Sequence, residues 1–229
     1  MKWEFDILYA LQKIHQPVLD HIMTGLSTIG NAGIFWIVLG LALCIPKKYR
    51  KIGIQMVISM AITFIIGNLI LKNLIARQRP CWLDTQIALL IKSPKDYSFP
   101  SGHSMNGFAA SIALLCNDKK LGIPAVILAS LIAFSRLYHF VHFPTDVMVG
   151  ILIGTTVAIL VHAGYLRGSR RHFFVIFNII EAKNSEAYSF GVFRTIFYLV
   201  NSNMISLLRF TNFVIASADN GWLESMARS

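Results

Sequence analysis

Charged residues are scarce in this chain of 229 residues, because only 14% of them are Asp, Glu, Lys or Arg. A soluble globular domain has about 25% charged residues. Here 55% of the residues are hydrophobic, and the mean hydropathy is +0.59. The composition therefore excludes an ordinary soluble domain, and the length suits a single-domain integral membrane protein.

Acidic residues are scarcer than basic ones, and cysteine is rarer still. The chain has 11 Asp and Glu against 21 Lys and Arg, which gives a formal net charge of +10. The basic residues cluster in short turns and form no stripe interleaved with aromatic residues, so we predict cytoplasmic loops and no nucleic-acid partner. The three cysteines have no metal-ligand spacing, and we do not expect a disulfide framework. Acidic residues at positions 4, 6 and 20 argue against a cleavable signal peptide.

Uncharged runs long enough to cross a bilayer follow one another along the chain. A membrane helix needs about 20 residues, and small residues in one run suit close helix packing in lipid. We predict an all-α polytopic membrane bundle of five to six transmembrane helices. The runs lie at residues 22–45, 52–71, 103–117, 121–138 and 144–163.

Three regions are predicted around this bundle. Residues 1–20 contain an amphipathic helix, either at the membrane interface or packed on the edge of the bundle. Residues 21–163 form the membrane domain, and residues 164–229 form a tail of unknown role. Within the tail, residues 173–180 and 190–215 predict loosely packed or surface-bound helices.

Three polar clusters interrupt the apolar runs. Charge inside or beside a membrane span is costly and usually functional. The basic turns 46–51, 118–120 and 167–171 should be cytoplasmic, which puts all three clusters on the extracytoplasmic side. The clusters are Lys72 to Pro80, Phe99 to His103, and Ser135 to Asp146.

The first cluster offers cations for an anionic ligand. Phosphoryl transfer requires positioned positive charge and hydrogen-bond donors. Lys72 and Arg79 share a face if their helix continues, since they are seven residues apart, and Arg136 of the third cluster adds a guanidinium suited to bidentate phosphate contact. Snorkelling at a helix end is the alternative for Lys72 and Arg79, and Arg77, off that face, is interpreted as a snorkelling cation.

The second and third clusters offer a nucleophile and an acid. Ser101 is a good helix N-cap, and Gly102 allows a phosphate to approach the backbone at a helix N-terminus. His103 can protonate a leaving oxygen. If a helix starts near residue 143, Asp146 can bond one nitrogen of His142 and leave the other free to attack phosphorus.

Other histidines and metals are weaker candidates. His139 is interpreted as a supporting or interfacial ring rather than a reacting group. A metal site is disfavoured, because the single nearby acid, Asp146, faces three or more cations. We therefore expect metal-independent chemistry without a cofactor.

At these residues the chain resembles the type 2 phosphatidic acid phosphatase (PAP2) superfamily, which also contains vanadium haloperoxidases. The resemblance covers residues 20–163 and implies a helical membrane bundle like that of small bacterial lipid phosphatases. It implies that His142 is the nucleophile of a phosphohistidine intermediate, that Asp146 orients it and that His103 protonates the leaving group. Phosphate would be held by Lys72, Arg79, Ser101, Gly102 and Arg136.

The resemblance implies a lipid substrate that enters sideways from the bilayer of a bacterial plasma membrane. Undecaprenyl diphosphate is the favoured substrate, because an outward-facing site matches where that carrier is released. The alternatives are a phosphatidylglycerophosphate or phosphatidate phosphatase, a lipid phosphotransferase, and a binder or transporter without turnover. The complete set of His103, His142 and Asp146 argues against the last, since binding alone needs no nucleophile.

Overall fold

The computed structural model describes residues 2–168, which are mainly helical and contain no β-strand, with a loop at residues 84–101. The residues up to Arg167 form one compact unit. The predicted tail helices at 173–180 and 190–215 lie outside the described residues. The helices are α1 (Lys2–Gln12), α2 (Pro17–Ile29), α3 (Ile34–Cys44), α4 (Arg50–Thr63), α5 (Lys72–Ile75), α6 (Pro80–Leu83), α7 (Gly102–Asn117), α8 (Lys119–Tyr138) and α9 (Pro144–Gly168).

Helix α7 forms the centre of the bundle and packs against α3, α4 and α8. Its inward face is built from alanines at positions 109, 110 and 113, all of which are fully buried. Small side chains let helix backbones approach closely, which is how helices associate in lipid. The large apolar side chains of the outer helices, such as Ile127 and Leu152, remain exposed for contact with lipid.

Two glycines bring α9 into backbone contact with α7. A Cβ atom on Gly150 would lie 2.7 Å from the carbonyl oxygen of Ser101, and one on Gly154 would lie 2.3 Å from that of Met105. Both distances are shorter than van der Waals contact allows. The spacing of four residues puts both glycines on one face of α9, so α9 packs directly on the first turns of α7.

Two irregular segments interrupt the long apolar runs beside the site. A 3₁₀ turn, Asn31–Gly33, separates α2 from α3, which are bent by 42°. Ala32 and Gly33 there have φ values of 50° and 68°. After α4 the helix widens into a π-helix, Phe64–Leu71, before α5. Such π segments are frequent at functional sites.

Three helical segments among residues 2–168 are long and apolar enough to cross a membrane: Arg50–Leu83, Lys119–Tyr138 and Pro144–Leu166. The bent pair of α2 and α3 makes up to four. Helix α7, with 16 residues, is shorter than the roughly 20 residues of a usual span. The all-helical membrane fold is confirmed, while the number of spans stays a prediction.

The basic turns 46–51 and 118–120 lie at the same end of the bundle. Near them, the Asn117 amide donates to Gln55 Oε1 at 2.9 Å, and His162 Nδ1 lies 3.0 Å from the same oxygen. The first turns of α4 and the last turns of α7 and α9 therefore meet there. The three polar clusters lie at the opposite ends of these helices.

Helix α1 packs one face on the turn between α8 and α9. Leu8 is fully buried, and the Phe5 ring meets the Phe143 ring edge-on with centroids 5.3 Å apart. Glu4 on the same face is only 3% exposed. This face supports the bundle-edge alternative for α1, while the interfacial position and the boundaries at residues 20 and 163 stay predictions.

Candidate active site

The three polar clusters converge at one end of the bundle. Ser98 N–H donates to the carbonyl oxygen of Arg77 at 2.8 Å, and Ser101 N–H donates to that of Asp146 at 3.0 Å. A cavity of about 280 Å³ opens between the clusters. Its polar and glycine lining includes Asn68, Lys72, Arg79, Asp96, Gly102, His103, Asn106, Arg136 and His142.

Lys72 and Arg79 meet for a reason that the sequence did not reveal. The helix carrying Lys72 ends at Ile75, and Ala76 has a positive φ of 48°. The helix does not continue to Arg79, so the condition under which the two cations would share a helix face is not met. They converge instead on Asp96, whose carboxylate pairs with Lys72 Nζ and lies 2.9 Å from Arg79 Nη2.

The Asp96 carboxylate remains charged between these cations. Partial burial opposes its charge, but the hydrogen bond and charge of Lys72, together with the charge of Arg79, outweigh burial and lower its pKa to about 2. The Asp96 side chain is 55% exposed. An anion thus covers the two cations, where a ligand phosphate would have to replace it.

Backbone carbonyls hold the Arg79 guanidinium rigidly. Its Nε donates to the Asp96 carbonyl at 2.7 Å, and its Nη1 donates to the Val141 carbonyl at 2.6 Å. Nη1 also lies 3.1 Å from Nε2 of His142. This second contact places the guanidinium directly beside the predicted nucleophile.

Arg136 lies on another wall of the cavity and is 3% exposed. Its Nη1 donates to the hydroxyl of Ser27, but its buried Nε has no hydrogen-bond partner among residues 2–168. Leaving a buried charged donor unpaired costs free energy. An anionic ligand in the cavity would relieve that cost.

The start of α7 supplies the Ser-Gly-His turn. The Ser101 side chain caps the helix by accepting from the Ser104 N–H at 3.5 Å and the Ser104 hydroxyl at 2.9 Å. Its hydroxyl is therefore engaged in the cap. A Cβ on Gly102 would lie 3.3 Å from Asn68 Oδ1 and 4.0 Å from Lys72 Nζ. This glycine keeps the backbone open toward the cavity.

His103 is held by the break between α2 and α3. Its Nε2 lies 3.1 Å from Oδ1 of Asn31. A Cβ on Gly30 would lie 2.7 Å from the His103 ring, so glycine leaves the room in which the ring sits. The irregular turn thus positions the predicted acid.

His142 and Asp146 are linked through a hydroxyl that the sequence analysis missed. Nδ1 of His142 lies 3.7 Å from Asp146 Oδ2, which is longer than a hydrogen bond. The Ser98 hydroxyl lies 2.5 Å from that oxygen and 3.4 Å from Nδ1, and the Phe143 N–H donates to the same oxygen at 2.8 Å. Ser98 therefore bridges the histidine and the carboxylate.

The surroundings of His142 favour a neutral ring with an available Nε2. Burial, and then the positive charges of Arg79 and Arg136, lower the pKa of His142 well below its ordinary value. Because Arg79 donates toward Nε2, the network assigns the ring proton to Nδ1, on the Asp146 side. The lone pair of Nε2 therefore faces the cations.

Arg77 is not a snorkelling cation, and that interpretation is wrong. Its Nη1 donates to Asp146 Oδ1 at 2.6 Å, and its Nη2 donates to Glu4 Oε2 at 2.7 Å. The side chain is 19% exposed, and its guanidinium lies over the Phe143 ring at 4.1 Å from the centroid. Arg77 therefore belongs to the surroundings of Asp146.

His139 is not among the residues that line the cavity. It is 2% exposed, with its ring edge-on to Tyr138. Within residues 2–168, no three His, Cys, Asp or Glu side chains are grouped so that they could hold a metal ion. Metal independence of the reaction stays a prediction.

Sequence reasoning missed several polar residues around the site. Ser98 immediately precedes the second cluster, and Glu4 is an acid within an apolar helix face, so both offered a weak signal. Asp96 and Asn31 lie in irregular segments where periodicity indicates nothing. The missed residues are Glu4, Asn31, Asp96 and Ser98.

Known proteins are similar to this chain in sequence and in fold. The PAP2 superfamily model matches residues 52–169. Undecaprenyl-diphosphatase of Sulfolobus acidocaldarius is 37% identical over 67% of this chain and 74% of that protein. Decaprenylphosphoryl-5-phosphoribose phosphatase of Mycobacterium tuberculosis is 32% identical over 69% of this chain and 88% of that protein.

A solved structure agrees with these relatives. The crystal structure of a transmembrane PAP2-type phosphatidylglycerolphosphate phosphatase from Bacillus subtilis matches with a TM-score of 0.63 and 28% identity. The match covers 75% of this chain and 88% of that one. The chain therefore belongs to the PAP2 superfamily and is a membrane lipid phosphatase.

Proposed function

We propose that the protein removes the terminal phosphate of undecaprenyl diphosphate through a phosphohistidine intermediate at the extracytoplasmic face. The observation that carries the chemistry is the position of His142. Its Nε2 faces Arg79 at 3.1 Å in the cavity, while Nδ1 is backed by Ser98 and Asp146. A neutral imidazole so held is an activated nucleophile.

The first step transfers the phosphoryl group to the enzyme. Nε2 of His142 forms a bond to the terminal phosphorus, and the bond from that phosphorus to the bridging oxygen breaks. His103, which lines the same cavity as His142, gives its proton to the leaving undecaprenyl phosphate. Asp146 stabilises the positive charge that develops on the ring through Nδ1.

The second step restores the enzyme. A water molecule loses a proton to His103 and attacks the phosphohistidine phosphorus, and the bond from phosphorus to Nε2 breaks. Inorganic phosphate leaves and His103 is protonated again. The same histidine thus serves as acid and then as base.

Positive charge and backbone donors would stabilise the transferring group. Arg79 and Arg136 offer guanidinium donors, and Lys72 offers a point charge once phosphate replaces Asp96. The N–H of Gly102 at the start of α7 is suited to an anion, whereas the Ser101 N–H already donates to the Asp146 carbonyl. Ser101, with its hydroxyl capping the helix and its N–H bonded to Asp146, fixes the start of α7 beside the cavity.

The choice of undecaprenyl diphosphate rests on the Sulfolobus relative, whose name states that activity. Phosphatidylglycerophosphate is the second candidate, because the Bacillus subtilis structure of the same fold is a phosphatase for that lipid. The outward orientation is supported by the basic turns 46–51 and 118–120 at the end opposite the site. A bacterial plasma membrane fits this reading.

Phosphate release in detergent tests the proposal. Purified wild type and His142→Ala would be given undecaprenyl diphosphate, phosphatidylglycerophosphate and phosphatidate, each with EDTA. We expect release by wild type only, fastest from undecaprenyl diphosphate. Fastest release from another lipid would overturn the substrate, loss of release with EDTA would overturn metal independence, and equal release by His142→Ala would overturn the nucleophile.

A further inference from the structure

Asp146 makes a second set of contacts on the side away from His142. Its Oδ1 accepts from Arg77 Nη1 at 2.6 Å, and the same nitrogen lies 2.7 Å from the Thr145 hydroxyl. Arg77 Nη2 reaches Glu4 Oε2 at 2.7 Å, and the Thr145 hydroxyl donates to Glu4 Oε1 at 2.6 Å. Glu4 therefore closes a ring of hydrogen bonds around Arg77.

These groups are withdrawn from water. Asp146 is completely buried, the Glu4 side chain is 4% exposed and the Arg77 side chain is 19% exposed. Charges interact more strongly in such surroundings than at an open surface. Neutralising any one of the three should therefore change the electrostatic interactions of the other two and of the His142 ring.

The charges of Glu4, Arg77 and Asp146 do not cancel. Arg77 alone would neutralise Asp146 and reduce its capacity to stabilise a cationic imidazole. Glu4 offsets Arg77, so the three groups together keep one negative charge behind Nδ1 of His142. The cations facing the other side of that ring are Arg79, Arg136 and Lys72, with Asp96 between them.

We propose that Glu4, acting through Arg77, is a positioning residue that fixes Asp146 and preserves its negative charge during phosphoryl transfer to His142. This inference rests on the phosphatase mechanism proposed above. Glu4 lies outside the matched family region, residues 52–169. Helix α1 is thereby assigned a part in catalysis, because Glu4 contacts Arg77 and Thr145, and Arg77 contacts Asp146.

The two substitutions Glu4→Gln and Arg77→Gln, alone and combined, test the network by charge. Glu4→Gln leaves Arg77 opposite Asp146 with no net charge. Arg77→Gln leaves two unscreened carboxylates beside each other. The double variant restores a single negative charge on Asp146, which Ser98 and the Phe143 N–H still hold.

Each single variant should lower kcat roughly 10- to 100-fold with little change in KM, because each removes a charged hydrogen-bond partner behind Asp146 without altering the lining of the cavity. The fold-loss in kcat of the double variant should be at least roughly tenfold smaller than the product of the two single-variant losses, as expected for contacting residues. Asp6→Asn, an exposed acid on the same helix, should keep the wild-type kcat. Melting temperatures would accompany all measurements.

Binding of orthovanadate, which mimics the five-coordinate transition state, provides a readout that needs no lipid. We expect the same coupling in vanadate Kd. If wild type hydrolyses no tested lipid but the coupling appears, the substrate proposal fails and the network stands. Losses that multiply in the double variant, unchanged kcat in both folded single variants, or no vanadate binding by folded wild type would overturn the network.

Discussion

Single side chains around His142 determine whether its ring is both neutral and oriented. Burial and neighbouring cations keep the pKa of His142 low, which preserves the lone pair on Nε2. Orientation comes from the other nitrogen, where Ser98 stands between the ring and Asp146. Ser98 therefore orients the ring, a role that the sequence assigned to a direct hydrogen bond from the carboxylate.

Ser98→Ala should reduce kcat roughly 10- to 100-fold, because it removes a hydrogen bond to a buried carboxylate, which contributes about 1.5–3 kcal/mol. KM should change little, since Ser98 does not line the cavity. Steady-state phosphate release checks this. Ser93→Ala, at an exposed site in the same loop, is the matched control, and an equal loss in both variants would contradict the bridging role.

Asp96→Asn should strengthen inhibition by inorganic phosphate several-fold. The substitution removes the anion that covers Lys72 and Arg79, while the backbone carbonyl that holds Arg79 Nε remains. Competitive inhibition constants measure the effect, with Asp84→Asn from the same loop as the control. Weaker inhibition in Asp96→Asn would show that the carboxylate organises the cations rather than competing for them.

The pH dependence of this effect has a defined sign. Because the pKa of Asp96 is lowered to about 2, the carboxylate stays charged at any pH above that value. Its ion pairs add stability above the ordinary aspartate pKa, and this contribution is lost only as the pH falls toward 2. Titration of Asp96 should therefore contribute no change, between pH 5 and 8, to the difference in phosphate inhibition between wild type and Asp96→Asn.

At the scale of helices, the fold is set by how closely α7 and α9 approach each other. Gly154 has no room for a side chain, since its Cβ would lie 2.3 Å from the carbonyl oxygen of Met105 and 3.0 Å from the Ala109 nitrogen. Both α7 and α9 begin at the site, with His103 and Asp146 in their first turns. Their packing therefore fixes the distance between the acid and the carboxylate.

Gly154→Ala should destabilise the protein by about 1–3 kcal/mol, as overpacking of a filled core does. The same substitution at Gly164 on the same helix, where no atom lies within 4 Å of a new Cβ, should leave the melting temperature unchanged. Thermal unfolding in detergent measures both. Equal melting temperatures for the two variants would contradict the close contact of α7 and α9.

The helices could be predicted from sequence more fully than the contacts between them. The apolar runs 103–117, 121–138 and 144–163 correspond to α7, α8 and α9, because uncharged runs bounded by polar turns leave little choice in lipid. The meeting of Lys72 with Arg79 was expected from a helix that in fact ends at Ile75. It depends on a positive φ at Ala76 and on a loop carboxylate, neither of which has a periodic pattern.

Contacts between residues far apart in the chain could not be predicted from the sequence either. Glu4 and Asp146 are brought together only by tertiary packing of α1 on the turn before α9. Periodicity reports which face of a helix is apolar but not what that face meets. The role of Arg77 could therefore not be separated from snorkelling until its partners were known.

At the scale of the whole molecule, the basic turns and the active-site cavity lie at opposite ends of the bundle. The basic turns and the Gln55–Asn117–His162 cluster lie at one end, and the cavity lies at the other. Positive turns favour the cytoplasm. A phosphatase so oriented would act on lipids of the outer leaflet.

Cysteine labelling tests that orientation. In a variant whose three native cysteines are replaced and whose activity is retained, Lys95→Cys should react with a membrane-impermeant maleimide in intact cells. Lys48→Cys, in a basic turn, should react only after permeabilisation. The opposite pattern would place the site in the cytoplasm.

Trapping the covalent intermediate tests most directly whether His142 is the nucleophile. Wild type would be mixed with undecaprenyl diphosphate labelled with ³²P at the terminal phosphorus and quenched in alkali, where phosphohistidine survives. We expect label on the peptide that contains His142, lost in acid, and absent from the folded His142→Ala variant. Turnover without such label, or label that persists in His142→Ala, would rule out His142 as the nucleophile.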